Sequence, residues 1–200
     1  ATVMRVQTLS GTVVAEIQQD PAGRVSGVRV DMGAPRLRRA DVPMAGPPGQ
    51  WAVEEEIVAG GRTYRVTCVN TGVPHAVVFV DDVDAVDLAT AGPQIEVHPA
   101  FPGRTNVNFV QVLGEAELRM RTWERGSGIT LACGTGASAA LVASHIVGHT
   151  GRRALVHLPG GDLQIEWSPE NNHVYMTGPA EEVFRGDFPL VVTPAPAGHK

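Results

Sequence analysis

Lysine is almost absent from this sequence of 200 residues: Lys200, the last residue, is the only one, and the other 15 basic residues are arginine. A lysine at a chain terminus is poorly placed to form an internal Schiff base or to hold a phosphate in a nucleotide-binding loop. The composition therefore argues against pyridoxal-phosphate chemistry and against Walker-type nucleotide hydrolysis by these residues.

The sequence also has little positive charge, no long apolar run and few cysteines, and each of these excludes a class of function. The chain carries 16 Lys+Arg against 21 Asp+Glu, a formal net charge of −5, so nothing electrostatic recruits it to nucleic acid. We expect no membrane partner and no secretory signal, because no apolar run has membrane-spanning length. Two cysteines are too few for a disulfide framework or a four-thiolate metal site. We therefore expect a cytoplasmic protein with no bound metal.

Aromatic residues make up only 5% of the chain, whereas 43% of its residues are hydrophobic and glycine and proline number 23 and 15. This composition predicts a sizeable core built from short elements and tight turns, hence a β-rich structure. Two-residue alternation predicts strands within 3–17 (broken at Ser10-Gly11), 27–33, 62–70, 75–80, 107–112, 117–123, 153–158, 162–167 and 173–177.

Two helices are predicted, a short one over 84–91 with acidic residues in its first turn, and a longer one over 134–147 that ends at Gly148. The longer helix is apolar or small almost all the way round. A helix without a polar stripe is buried on most sides, so we expect a sheet to wrap around it.

The sequence contains a short internal repeat, with one copy near each end of the chain. Residues 6–11 and 30–35 resemble residues 156–160 and 175–179. The second copy follows a strand and helix segment, whereas the first lies at the start of the chain, so we expect a matching segment to be missing there. The proline-rich stretch 34–49 marks the main boundary between the two copies.

Cys133 is the strongest candidate for chemistry. It lies directly before the longer helix in Ala132-Cys133-Gly134-Thr135-Gly136. Free amides and the positive end of the helix dipole favour a carboxylate there and are expected to lower the pKa of the thiol. The alternative is a thiol packed beside a tight turn. Cys68 lacks this setting and is interpreted as a packed core residue.

Three further segments have both structural and functional interpretations. Glu124 and Arg125 are either a solvated surface pair or part of a binding site for an amino acid. In the second case the arginine would bind a carboxylate and the glutamate an ammonium group. Asn106 follows a loop, where asparagine serves either a turn or a ligand. His75 starts a strand and is either structural or positioned to tune a thiol.

These segments, in this order, resemble the diaminopimelate epimerases from about Val6 to Phe184. The segments are Gly72-Val73-Pro74-His75, Arg104-Thr105-Asn106-Val107-Asn108-Phe109, Trp123-Glu124-Arg125-Gly126, Ala132-Cys133-Gly134-Thr135-Gly136 and Thr177-Gly178-Pro179-Ala180. The resemblance implies a cofactor-independent epimerase that converts LL- to meso-diaminopimelate, with two cysteines on opposite faces of one α-carbon.

The resemblance also assigns roles to residues. Cys133 would be one of the two acid/base thiols, assisted by His75 and Glu124, and the amides of Gly134 and Thr135 would hold the reacting carboxylate. The distal amino-acid end of the substrate would be bound by Asn106, Glu124 and Arg125. A homodimer is implied for the full-length form.

The implied fold class is α/β (α+β), a mixed or antiparallel sheet wrapped around a central helix, with a remnant of a second, pseudo-symmetric lobe. Residues 1–35 would be that remnant, 36–186 the lobe that contains the helix, and 187–200 a tail. The family's Gly-Asn-Gly-x-Arg-Cys segment, which carries the other cysteine, is not in this sequence. We therefore expect the chain alone to be inactive or nearly so.

A further departure is Val73, where many members of the family have asparagine. Two other functions compete with an epimerase. A cysteine hydrolase would use Cys133 with His75 and form a covalent intermediate, but it has no need of the Glu124-Arg125 pair. A noncatalytic amino-acid-binding domain of the same fold would tolerate loss of Cys133.

Overall fold

Alternating apolar and polar residues form strands along most of the chain. The computed structural model describes residues 2–8, 11–187 and 189, and within them twelve strands form one sheet. The strands are β1 Thr2–Thr8, β2 Gly11–Gln19, β3 Val25–Asp31, β4 Glu55–Ala59, β5 Arg62–Asn70, β6 Pro74–Phe79, β7 Asn106–Gly114, β8 Glu117–Glu124, β9 Gly128–Thr130, β10 Arg153–Leu158, β11 Gly161–Trp167 and β12 Val174–Gly178. The helices are α1 Leu88–Glu96 and α2 Gly134–Ile146.

The order of strands across the sheet is β1-β2-β3-β12-β11-β10-β8-β7-β6-β5-β4, and β9 pairs with β8 off this path. Neighbouring strands are antiparallel except for two parallel pairs, β6 with β7 and β8 with β10. The predicted mixed sheet is confirmed.

The two helices lie over separate cores. The core around α2 contains Val77 and Val110, whereas the core around α1 contains Ala76 and Phe109. Neighbours along a strand therefore point to opposite faces, as the two-residue period requires. Residues 139–143 of α2 are fully buried, and the helix contacts strands β5 to β8 and β10 to β12. The predicted buried helix is confirmed.

The position predicted for the shorter helix is wrong. It begins at Leu88, not at residue 84, because the Asp87 carboxylate caps it by accepting a hydrogen bond from the Thr90 amide at 3.2 Å. The preceding aspartates form a turn, in which Asp82 accepts from the Asp84 amide. Strands β4 and β9 were not predicted, because β4 begins within a run of glutamates and β9 has only three residues.

The segments on either side of the predicted boundary share the sheet. Strand β3 pairs antiparallel with β12, placing Asp31 opposite Tyr175 and Val28 opposite Gly178. The division at residue 35 stays a prediction. Ser10, where the sequence predicts a break, and most of the predicted tail lie outside the described residues. Within the described residues, neither helix is long and apolar enough to span a membrane.

Candidate active site

Cys133 lies at the N-cap of α2, where the chain turns from extended into helical conformation. Its backbone is extended, with φ −144° and ψ 103°, and its carbonyl accepts the first hydrogen bond of the helix from Ala137 at 2.9 Å. The amides of the first turn therefore face the same space as the thiol. The side chain is largely covered, with 7% of the residue exposed.

The environment of Cys133 corrects one expectation. Burial raises the pKa of the thiol, while the Thr135 hydroxyl, 3.4 Å from the sulfur, and the Gly136 amide act to lower it. The charge of Glu124 and its hydrogen bond to the sulfur raise the pKa further. The sequence predicts a lowered pKa, because the helix terminus is visible in the sequence and the loss of water around the sulfur is not.

Thr135 connects the thiol to a neighbouring loop and strand. Its hydroxyl contacts Nε2 of His75 at 3.0 Å, and its carbonyl accepts a hydrogen bond from the Thr71 hydroxyl at 2.7 Å. The Thr71 contact fixes the loop that contains Gly72 and Val73 against the first turn of α2. Thr135 was expected to use its amide; the structure adds a second use, for its side chain.

His75 is completely buried and contacts Thr135, whereas the resemblance implies that it assists a thiol. Burial, with a smaller contribution from the charge of Arg125, lowers its pKa to about 3. The imidazole is therefore neutral at physiological pH. It acts on Cys133 only through the Thr135 hydroxyl.

Two residues that the sequence analysis did not select extend this contact. Asn108 lies with its amide nitrogen 3.0 Å from Nδ1 of His75, and its oxygen accepts from the Thr122 hydroxyl at 3.0 Å. Both residues are buried, at 0% and 2% exposure. Asn108 could have been identified from the sequence as a polar residue inside the otherwise apolar strand β7, at a position that faces α2.

Two glycines leave room around the thiol. A Cβ atom on Gly136 would lie 2.8 Å from the Asn108 oxygen and 3.2 Å from the Cys133 sulfur. One on Gly134 would lie 2.6 Å from the Met176 sulfur, on strand β12. The glycines thus allow the strands to approach the helix terminus closely.

The three residues predicted to bind the distal amino-acid end differ in their contacts. Asn106 donates to the Pro74 carbonyl at 3.0 Å and accepts from the Arg125 amide at 2.8 Å, so its side chain holds two segments together. The Arg125 guanidinium is exposed and donates to the Gly103 carbonyl at 2.8 Å. Glu124 is half-buried and faces Cys133.

A cleft of about 460 Å³ lies next to Thr135, between the loop at Gly72-Val73 and the strands β2 and β3. On its far side Asp31 binds Nδ1 of His173 at 2.9 Å. The cleft is large enough for an amino acid, and one of its walls is the residue that contacts the thiol.

The sequence of residues 67–183 matches the diaminopimelate epimerase family. This chain belongs to that family. The diaminopimelate epimerase of Pelotomaculum thermopropionicum is 59% identical over 93% of this chain, and that of Moorella thermoacetica is 58% identical over 94%. These matches cover 65% and 66% of the relatives' own lengths, so the chain spans slightly less than two thirds of each.

Solved structures agree on the fold. A hydroxyproline epimerase from Agrobacterium vitis aligns with a TM-score of 0.65 and 20% identity, covering 89% of this chain and 56% of that one. A phenazine biosynthesis protein of the PhzF family from Bacillus anthracis aligns with a TM-score of 0.56 and 13% identity, covering 88% and 65%. At these identities the likeness shows that this chain shares their fold.

Proposed function

We propose that these residues supply one of the two acid/base thiols of a diaminopimelate epimerase, with Cys133 as that thiol. The observation that carries the proposal is the Cys133 sulfur beside the first amides of α2. A substrate carboxylate on the Gly134 and Thr135 amides would bring its α-carbon close to the sulfur. Neutralising that carboxylate also stabilises the carbanion formed when the α-proton leaves.

The proton balance follows from the two-thiol mechanism. One thiolate removes the α-proton from one face, and a thiol on the other face delivers its own proton, so the two thiols exchange protonation states in each turnover. Because burial raises its pKa, Cys133 is protonated at neutral pH in the free protein. It is therefore prepared to deliver a proton, and in the reverse reaction it removes one.

Cys68 is a poor candidate for the opposite thiol. It is buried in the core beneath α1, on the face of the sheet opposite α2, and it contacts the Met44 sulfur at 3.7 Å. Burial raises its pKa to about 12. The second thiol would thus come from outside these 200 residues.

The cysteine-hydrolase alternative fits the geometry less well. Such an enzyme needs a base that takes the proton of the thiol, whereas His75 contacts Thr135 and has a pKa of about 3. A thiolate paired with an imidazolium is therefore disfavoured at neutral pH.

The decisive experiment incubates the purified chain with meso-diaminopimelate, the isomer from which Cys133 would remove the α-proton, in deuterated water. We expect slow exchange of that α-hydrogen with little or no LL product, because these residues contain only one positioned thiol. Mass spectrometry follows deuterium, and chiral chromatography follows the product. The Cys133→Ala variant should lose the exchange, and Cys68→Ala should keep it. Exchange that persists without Cys133, or fast turnover that needs Cys68, would contradict the assignment.

A further inference from the structure

We propose that Asn108 is a positioning residue, which fixes the direction of a buried chain of hydrogen bonds so that the Thr135 hydroxyl donates to the Cys133 sulfur. The proposal rests on the role of Cys133 in the proposed function. It goes beyond that role in assigning a task to a side chain that touches neither the thiol nor the cleft.

The chain has four contacts, each between side chains. The Thr122 hydroxyl lies 3.0 Å from the Asn108 oxygen, and the Asn108 nitrogen lies 3.0 Å from Nδ1 of His75. Nε2 of His75 then lies 3.0 Å from the Thr135 hydroxyl, which is 3.4 Å from the sulfur of Cys133. The first three of these residues are 2% exposed or less, so water does not interrupt the chain at that end.

The direction of the chain follows from the donor inventory. An amide nitrogen only donates, so Nδ1 of His75 accepts from Asn108. A neutral imidazole carries one proton, which then lies on Nε2 and is donated to the Thr135 oxygen. The hydroxyl proton of Thr135 is left for the sulfur, where it favours the thiolate.

Asn108 is the one member of this chain that cannot reverse by moving protons. Hydroxyls rotate and an imidazole changes tautomer, but an amide must turn over to exchange its oxygen and nitrogen. The helix terminus decides which end of the amide faces α2. The Asn108 oxygen lies 2.8 Å from the Cβ position of Gly136, near the positive end of the helix, where an oxygen is favoured over an NH2 group. The Thr122 hydroxyl strengthens this orientation by donating to the oxygen.

Charged groups on the neighbouring segments act on both ends of the contact between His75 and Cys133. Arg125, which follows β8, disfavours a second proton on His75 and keeps the imidazole neutral. Glu124, at the end of β8, opposes a negative charge on Cys133. The Thr135 hydroxyl offsets part of that opposition only when it donates to the sulfur.

The test reads the imidazole directly. Nitrogen-15 NMR of the labelled protein, with His75 assigned by its loss in His75→Gln, should show the proton on Nε2 and a bare Nδ1 between pH 6 and 8. In Asn108→Asp the amide donor becomes an acceptor of nearly the same shape, and Nδ1 should become protonated. A proton on Nδ1 in the unmodified protein would overturn the proposal.

A matched pair of variants tests the effect of the chain on the reactivity of the Cys133 thiol. Thr122→Val removes the hydroxyl that holds the amide, and the rate of Cys133 alkylation by iodoacetamide at pH 8 should fall about threefold or more. Thr122→Ser keeps the hydroxyl and should stay within about twofold of the original rate. Equal rates for the two variants would contradict the proposal even if Asn108→Asp fails to fold. Neither readout uses turnover, so a failure here leaves the proposed epimerase function standing.

Discussion

Cys133 lies between groups that shift its proton equilibrium in opposite directions. Burial and Glu124 favour the thiol, whereas the Thr135 hydroxyl and the Gly136 amide favour the thiolate. Burial is the largest of these effects, so the pKa of Cys133 is raised overall. Under the proposed epimerase role Cys133 must also act as a base in one direction, so the groups that favour the thiolate matter for that step. The contribution of each group is therefore best measured by removing it alone.

The Thr135→Val variant removes the hydroxyl and keeps the shape of the side chain. We expect the pKa of Cys133 to rise, since a hydrogen bond to a charged group contributes about 1.5–3 kcal/mol. Alkylation by iodoacetamide at pH 8 should then slow about tenfold. Thr135→Ser is the control and should react at nearly the original rate. Equal rates for both variants would show that the hydroxyl does not reach the sulfur.

His75 makes the protein sensitive to acid. Its pKa is about 3 in the folded protein, whereas an unfolded histidine titrates near 6.5. Between these values the unfolded state binds more protons, so the free energy of unfolding should fall by up to about 1.4 kcal/mol for each pH unit below 6.5. Urea unfolding at pH 7, 6 and 5 measures this slope. His75→Gln should reduce it, and an unchanged slope would contradict a buried neutral imidazole.

At the residue scale, the positions of the candidate residues could be predicted from the sequence better than their pKa shifts. The glycine-rich start of α2 predicted the place of Cys133 and its neighbour Thr135. The direction of the pKa shift was predicted wrongly, because burial is a property of the whole fold. Asn108 was missed as well, because an asparagine in a strand has no recognisable partner until three strands have been placed side by side.

At the element scale, α2 is a helix of small side chains. Residues 136–144 of this helix are all buried, and most of them are alanine, glycine or serine. Small side chains let strands approach the helix axis closely, and the larger Leu141 fills space in the same core. The packing of this helix is thus a determinant of where its N-terminus, and hence Cys133, lies.

The Leu141→Ala variant tests that packing. We expect it to lower the free energy of unfolding by about 2–5 kcal/mol, because Leu141 is fully buried and its removal leaves a cavity. Leu131→Ala is the matched control: Leu131 is 69% exposed, and the change should stay within about 0.5 kcal/mol. Denaturant unfolding compares them, and similar losses would show that α2 is not the centre of the core.

Elements with a strong period could be predicted from the sequence, and those shaped by local side-chain contacts could not. The buried helix and the hairpin of β7 and β8 were both predicted. The position of α1 depends on the Asp87 cap, which competes with several other acidic residues nearby. Strand β4 forms because Ile57 and Ala59 reach the core, a fact that its glutamates conceal.

At the scale of the whole molecule, Arg29 bridges the seam between β3 and β12. Its guanidinium lies 3.6 Å from the centre of the Tyr175 ring, 3.4 Å from the Glu16 carboxylate and 3.9 Å from that of Glu166. These partners belong to strands on both sides of the seam. The arginine therefore reinforces backbone pairing between segments that are far apart in the sequence.

The Arg29→Ala variant should weaken this seam by about 1 kcal/mol, the size expected for one partly exposed cation–π contact with weak ion pairs. Amide hydrogen exchange in β3 and β12 should become about fivefold faster, while exchange in β7 stays unchanged. Arg29→Lys keeps the charge and should show a smaller effect. Uniform acceleration in all strands would show that the seam does not open separately.

The pairing of β3 with β12 can form only late in synthesis of the chain. Asp31 and His173, which meet beside this seam, are 142 residues apart. At typical rates of synthesis, about 5–20 residues per second, β12 leaves the ribosome on the order of ten seconds after β3. During that interval the edge of β3 that later pairs with β12 has unpaired backbone groups that can recruit a strand from another chain. The test uses nascent chains held on the ribosome by a C-terminal linker long enough to fill the exit tunnel. Chaperone capture of chains that end before residue 174 should exceed capture of chains that end after residue 187.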